Sequence, residues 1–141
     1  MNEPRNASVI PILRYADAAS AIDWLCRAFG FERHVVDQSE DGTIGHAQLT
    51  YGNGMVMVGT ARDDAWGKLQ KTVKATGVAT GAICVVVPDA DAHHARAVAA
   101  GARVVMELED HDYGGRGYTC LDPEGNVWNF GTYDPWADPQ G

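Results

Sequence analysis

Cysteine is scarce in this sequence, and what there is forms no pattern. The 141 residues hold three cysteines, Cys26, Cys84 and Cys120. The number is odd and no CxxC pair occurs, which excludes a disulfide framework and a zinc ribbon. All three fall on predicted apolar stripes or strands and read as buried apolar residues. No apolar run approaches the roughly 20 residues of a membrane-spanning helix, and MNEPRNAS at the start lacks a signal-peptide core. The expected setting is the reducing cytoplasm, without a membrane partner. Basic side chains are few: 11 against 19 acidic ones give a formal charge of -8, which repels phosphate backbones and argues against nucleic acid. The same balance favours cationic ligands weakly and serves solubility first. Also missing are a Gly-Lys-Ser/Thr phosphate loop and a Gly-x-Ser-x-Gly nucleophile elbow.

What the sequence does contain is a repeat. The segment Ile10-Pro-Ile-Leu-Arg-Tyr-Ala-Asp17-Ala18 returns in character as Ala82-Ile-Cys-Val-Val-Val-Pro-Asp89-Ala90, an extended run closed by Asp-Ala, 72 residues on. Gly45, Leu49, Gly59 and Thr60 map at the same offset onto Gly117, Leu121, Gly131 and Thr132, while Gly30 maps at 71 onto Gly101. Each half opens with a short Ile- and Val-rich strand, at 8–15 and 81–87. An Asp-capped helix follows. In the first half Ala18, Ala21, Ile22, Leu25, Cys26 and Phe29 form one apolar stripe ended by Gly30. In the second, Ala90, His94 and Val98 form a thinner one ended by Gly101. Strands are predicted next at about 32–37, 44–51 and 54–60, then at about 103–108, 116–121 and 126–132. Turns at Gly52-Asn53-Gly54 and Asp122-Pro123-Glu124-Gly125-Asn126 join the last two of each half.

The expectation is one α+β domain across 1–141, made of tandem βαβββ modules at about 8–60 and 81–133 and forming a curled mixed sheet. The joining stretch, about 61–80, carries Trp66 and four basic groups, and reads either as a lid or binding loop or as a disordered linker. This layout, with Phe29-Gly30-Phe31 after the first helix and the Asp-Pro-Glu-Gly-Asn turn before the last strand, resembles the vicinal-oxygen-chelate superfamily, the glyoxalase, bleomycin-resistance and extradiol-dioxygenase group. His46-Ala-Gln-Leu followed by Gly52-Asn-Gly-Met-Val-Met-Val-Gly59 is similar to its bacterial glyoxalase-like subgroup. The resemblance implies a homodimer with concave pockets along the sheets. It also implies a divalent ion in the metal-dependent members, held at positions that here are Ile10, Met57, Ala82 and Asn129. None of the four is an ordinary ligand for such an ion, so no metal and no other cofactor is expected.

Three functional readings follow. The first is a metal-independent protein binding a small organic ligand, cationic ones included, in a dimer cleft; antibiotic sequestration of the bleomycin-resistance kind is its sharpest form. The second is a lyase or isomerase using His46, Tyr118 or an unusual metal site, with Tyr118 taken as the repeat-mate of His46 at 72. A non-catalytic domain serving a protein partner is the third possibility. Around the four metal positions, the expected ligand contacts are His46, Trp66, Arg116 and Tyr118. Arg116, set among glycines, reads as a bidentate carboxylate contact or as an exposed hairpin residue. His93 and His94 read as surface and helix-packing residues, and His111 as part of a solvated acidic loop. Trp24 is expected on the helix face opposite Ile22 and Phe29, exposed in a monomer. Alternation places Asn129 opposite Trp128 and Phe130.

Overall fold

The computed structural model describes residues 6–137. Helix α1, Ala18–Phe29, starts where the Asp17 carboxylate accepts the Ser20 N–H and ends at Gly30, whose φ of 87° only glycine adopts readily. Helix α3, Ala90–Ala99, starts in the same way, with Asp89 accepting the Ala92 N–H. Between them lies α2, a single turn at Val73–Thr76. The strands are β1 Ile12–Tyr15, β2 Glu32–Gln38, β3 Ile44–Tyr51 and β4 Gly54–Thr60, then β5 Ala82–Val86, β6 Arg103–Asp110, β7 Arg116–Leu121 and β8 Val127–Gly131.

Each module builds one four-stranded sheet, ordered β1-β4-β3-β2 and β5-β8-β7-β6. The first strand of each pairs parallel with the last, and the remaining pairs are antiparallel. Register shifts in β2 and β6 mark bulges that bend the outer strands. Helix α1 packs on the first sheet, α3 on the second, and the two helices pack on each other. The layers therefore run sheet, helix, helix, sheet around one core. The face of each sheet away from its helix is left open, and β1 and β5 have no strand neighbour on their outer edges.

The pairing corrects the 72-residue register on one strand of each module. Val58 pairs with Ala47, and Phe130, 72 residues after Val58, pairs with Tyr118. The mate of Tyr118 is thus Ala47, at 71; Leu49 matches Cys120 rather than Leu121, and His46 matches Gly117. The cause is turn length. Four residues separate the paired Thr50 and Met55, whereas five, Asp122 to Asn126, separate Leu121 and Val127. A one-residue slip sends a side chain to the other face of the sheet, and Tyr118 accordingly points into the core, 2% exposed.

Trp24 is likewise buried, contrary to the expected exposed face. Its ring packs edge-on against Phe29 at 4.8 Å, and its indole N–H donates to the Ala100 carbonyl, 2.7 Å, at the end of α3. In return, Arg96 of α3 donates from Nε and Nη2 to the Arg27 and Cys26 carbonyls at the end of α1. Each helix thereby bonds to carbonyls at the end of the other, the Cys26 carbonyl also accepting the Gly30 N–H. Of the cysteines only Cys120 is buried; Cys26 is half-buried and Cys84 exposed, because β5 is an edge strand. Burial pushes the Cys120 thiol up to about 12, so it stays protonated and unreactive at neutral pH. Trp128 and Phe130 lie beneath the helices with no exposure, as alternation required.

Candidate functional site

The open face of the first sheet is built by strand alternation. With Leu49, Val56 and Val58 turned to the helix, the intervening His46, Gln48, Met55 and Met57 face outward, joined by Ile12 and Arg14 from β1. Gly59 pairs with Arg14. A Cβ at Gly59 would collide with Arg14 Nη1, so the glycine gives the guanidinium its seat. Nη1 makes a long contact, 3.4 Å, to the Thr60 carbonyl, and Nε is buried without a hydrogen-bond partner among the described residues. Above it the Trp66 ring lies 5.8 Å from the guanidinium carbon, a cation–π arrangement. Trp66 donates to Gln70 Oε1, 2.7 Å, and Gln70 Nε2 donates to the Ile12 carbonyl, 2.7 Å, on the free edge of β1. His46 Nε2 lies 3.1 Å from Gln48 Nε2, an arrangement in which Nε2 accepts and Nδ1 carries the hydrogen.

The open face of the second sheet carries Ala82, Cys84 and Val86 from β5, Thr119 and Leu121 from β7, and Val127 and Asn129 from β8. It has no counterpart of Arg14, since the residue 72 positions later is Val86, 41% exposed. The apolar residues Val9, Ile12, Leu69, Val78 and Val86 stand exposed on or beside the free edges of β1 and β5. Between those edges, roofed by residues 69–81, lies a cavity of about 470 Å³ floored by Leu13, Ile83 and Val127. A second cavity, about 450 Å³, lies on the helix side between Trp24, Asp17 and Glu124. The carboxylates there are largely engaged: Glu124 accepts the Ala16 and Asp17 N–H groups, and Asp122 accepts Tyr15 Oη and Trp128 Nε1. Burial, and then the Asp122 carboxylate, push the Tyr15 hydroxyl well above its ordinary range.

The residues singled out in the sequence do not all meet. His46 and Met57 share the first face with Trp66 above it, and Asn129 lies on the second. Ile10 precedes β1, half-buried, and Ala82 is exposed at the start of β5. Tyr118 does not line a pocket. Its hydroxyl lies 2.6 Å from Nδ1 of His93, whose Nε2 lies 2.9 Å from the Phe29 carbonyl, and burial raises the phenol far above its usual range. Arg116 is already committed, bonded to Asp91 and 3.5 Å from Asp110. His93 is a buried bridge between α3 and the end of α1 rather than a surface residue, and burial lowers its imidazole below its ordinary value.

The donor set does not fit a hard divalent ion. Ile10 and Ala82 offer no donor, Met57 only a thioether beside Ile12, and Asn129 a neutral amide beside Cys84. Among the described residues no group of three or more His, Cys, Asp or Glu side chains is placed to hold a metal. No helix there is long and apolar enough to cross a membrane. Arg14 was missed in the sequence, although one arginine in an otherwise apolar first strand was a visible signal.

Comparison with known proteins agrees with this architecture. The family model described as the Glyoxalase/Bleomycin resistance protein/Dioxygenase superfamily matches residues 9–130. An uncharacterized protein of Mycobacterium bovis, Mb0911c, is 36% identical over 121 residues, covering 86% of this chain and 80% of the relative. Among solved structures, TioX from Micromonospora sp. ML1 superposes with a TM-score of 0.69 at 35% identity, covering 89% of this chain and 98% of the other. The lactoylglutathione lyase of Agrobacterium tumefaciens, at 19% identity and a TM-score of 0.64 with 96% and 100% coverage, shares the fold.

Proposed function

Because this chain belongs to the Glyoxalase/Bleomycin resistance protein/Dioxygenase superfamily, we propose that it binds a small organic ligand on the open face of its first sheet, in a cleft completed by a second copy. The observation that carries this reading is Arg14. Its guanidinium is seated over Gly59 and covered by Trp66, and its Nε is buried without a partner. Leaving a buried donor unsatisfied costs about 1–3 kcal/mol, a cost that a ligand oxygen removes by taking the place of Trp66 over the guanidinium. Around it, Met55 and Met57 supply adaptable apolar surface, and His46 and Gln48 supply hydrogen-bonding groups. A ligand with amide or acid oxygens on an apolar body fits this wall, and antibiotic sequestration remains the sharpest form of the reading.

The second copy is supported by the free edges of β1 and β5, flanked by exposed Val9, Ile12, Leu69, Val78 and Val86. Unpaired edges bordered by apolar side chains are normally covered. Titration of tryptophan fluorescence with a bleomycin-type glycopeptide tests the ligand class, with a saturable change at micromolar ligand expected and lost in Arg14→Met. A flat titration removes the sequestration form. A solution mass that stays at that of one 15.1 kDa chain at high concentration removes the second copy.

His46 favours a second reading, lyase or isomerase chemistry, since its imidazole stands on the open face within reach of a bound molecule. Turnover that His46→Ala abolishes without loss of fold would establish it; turnover indifferent to that change removes His46 from the mechanism.

A further inference from the structure

The open face of the second sheet differs from the first at the residue that matches His46. His46 stands on the first open face, and its mate on the second sheet is Gly117, which has no side chain to offer. Nor could the position carry one: a Cβ there would lie 2.6 Å from the Phe130 carbonyl and 3.1 Å from Gly131 Cα, backbone atoms that cannot give way. The nearest side-chain atom to that missing Cβ is His111 Nε2, at 3.4 Å. Gly117 and Thr119 alternate with the core-facing Tyr118 and Cys120, so the imidazole stands over the open side of the sheet. An imidazole therefore reaches the matching place on both faces, rooted in the strand on one and delivered from the β6–β7 hairpin on the other.

The hairpin is built to hold it there. The His111 N–H donates to the Gly115 carbonyl, 2.9 Å, and the His111 carbonyl accepts the Gly114 N–H, 3.0 Å. Gly114 and Gly115 take φ of 114° and 78°, conformations that L side chains rarely adopt. The ring stacks on Tyr113, 4.8 Å between centroids and 6° between planes, and Tyr113 packs edge-on against Tyr133 at 5.0 Å. On the other ring nitrogen, Nδ1 lies 3.9 Å from a Glu109 carboxylate oxygen, too far for a hydrogen bond but close enough to favour a hydrogen on that side. Nε2 is then the acceptor of the ring, placed over Gly117.

We infer that His111, on the open face of the second sheet of the second copy, is the ligand-contacting imidazole opposite His46, so that the ligand is one offering a hydrogen-bonding oxygen or nitrogen to each. This rests on the proposed cleft, and the test separates the two. In titrations with the bleomycin-type glycopeptide, His111→Ala is expected to weaken binding about tenfold, the worth of one good hydrogen bond to a buried group. Tyr118→Phe is expected to leave it within about twofold. Equal affinity of His111→Ala and the unaltered chain overturns the inference. If the unaltered chain does not take up the glycopeptide, the sequestration form falls and the inference is read with benzoate instead. In ¹⁵N-resolved imidazole spectra, benzoate is then expected to shift the His46 and His111 rings along one saturation curve and to leave the buried His93 in place. A shift at His46 alone, or at neither ring, overturns it.

Discussion

The two modules share a topology and divide its packing in opposite ways. In the first, the helix brings the bulk: Ile22, Trp24, Leu25 and Phe29 of α1 are buried while the strands offer Ala47, Leu49, Val56 and Val58, and Phe29 reaches across to Trp128 and Phe130. In the second, the sheet brings it: Tyr118, Trp128 and Phe130 rise to meet a helix whose buried residues are Ala90, His93 and Ala97. Both halves fill the same interlayer space, because packing density constrains the sum of volumes rather than the side that supplies them. The aromatic half also carries polar atoms, and each finds a partner. Trp128 donates to Asp122 and Tyr118 meets His93 within the second module, while the modules are joined by bonds from both sides: Trp24 to the Ala100 carbonyl, Tyr15 to Asp122, and Arg96 to the Arg27 and Cys26 carbonyls.

The comparison is broken most severely by deleting bulk where it is supplied. Trp128→Ala is expected to cost about 3–5 kcal/mol, against about 2 kcal/mol for Val56→Ala at the matching position, read from urea midpoints at constant slope. Equal losses would mean that the two sheets contribute alike. Next comes the register. Gly117→Ala should cost about 1–3 kcal/mol, because its Cβ meets the Phe130 carbonyl. Gly45→Ala meets only the mobile end of Arg62 and should stay within about 0.5 kcal/mol. Similar behaviour of the two glycines would restore the 72-residue offset on that strand.

Smaller effects test the bonds between the halves. Trp24→Phe keeps most of the ring and removes the donor to the Ala100 carbonyl, with about 1 kcal/mol lost in thermal or urea unfolding. The least is expected from His93, and it depends on pH. Burial lowers its native value below 6.5, so as the pH falls the unfolded chain takes up the proton first. The stability contribution is therefore complete above about pH 6.5 and is lost progressively below it. Urea midpoints of the unaltered chain should fall between pH 7 and pH 5 more than those of His93→Phe. Parallel pH profiles would show that the imidazole does not sense the interface.

Much of the fold was legible because the repeat, the Asp caps at 17 and 89 and the glycine stop at 30 are local signals. The helix ends and the eight strands follow from them to within a few residues, except that β1 begins at Ile12 and the linker holds an extra turn of helix. The candidate site was legible only in part. His46, Met57 and Asn129 reach the open faces because strand alternation is local. Tyr118 and Trp24 were misplaced because their surroundings come from distant segments: the length of the turn after β7 decides the face of Tyr118, and the end of α3 covers Trp24.

By itself, then, the sequence determined the tandem βαβββ order and the capped helices, since each depends on neighbours within a few residues. The tertiary structure alone decided the one-residue shift between the modules, the seating of Arg14 over Gly59 beneath Trp66, and the arrival of His111 above Gly117. Those arrangements join residues that lie far apart in the chain or depend on pairing across strands, and their geometry is set by turn lengths and close backbone approach, which no local pattern encodes.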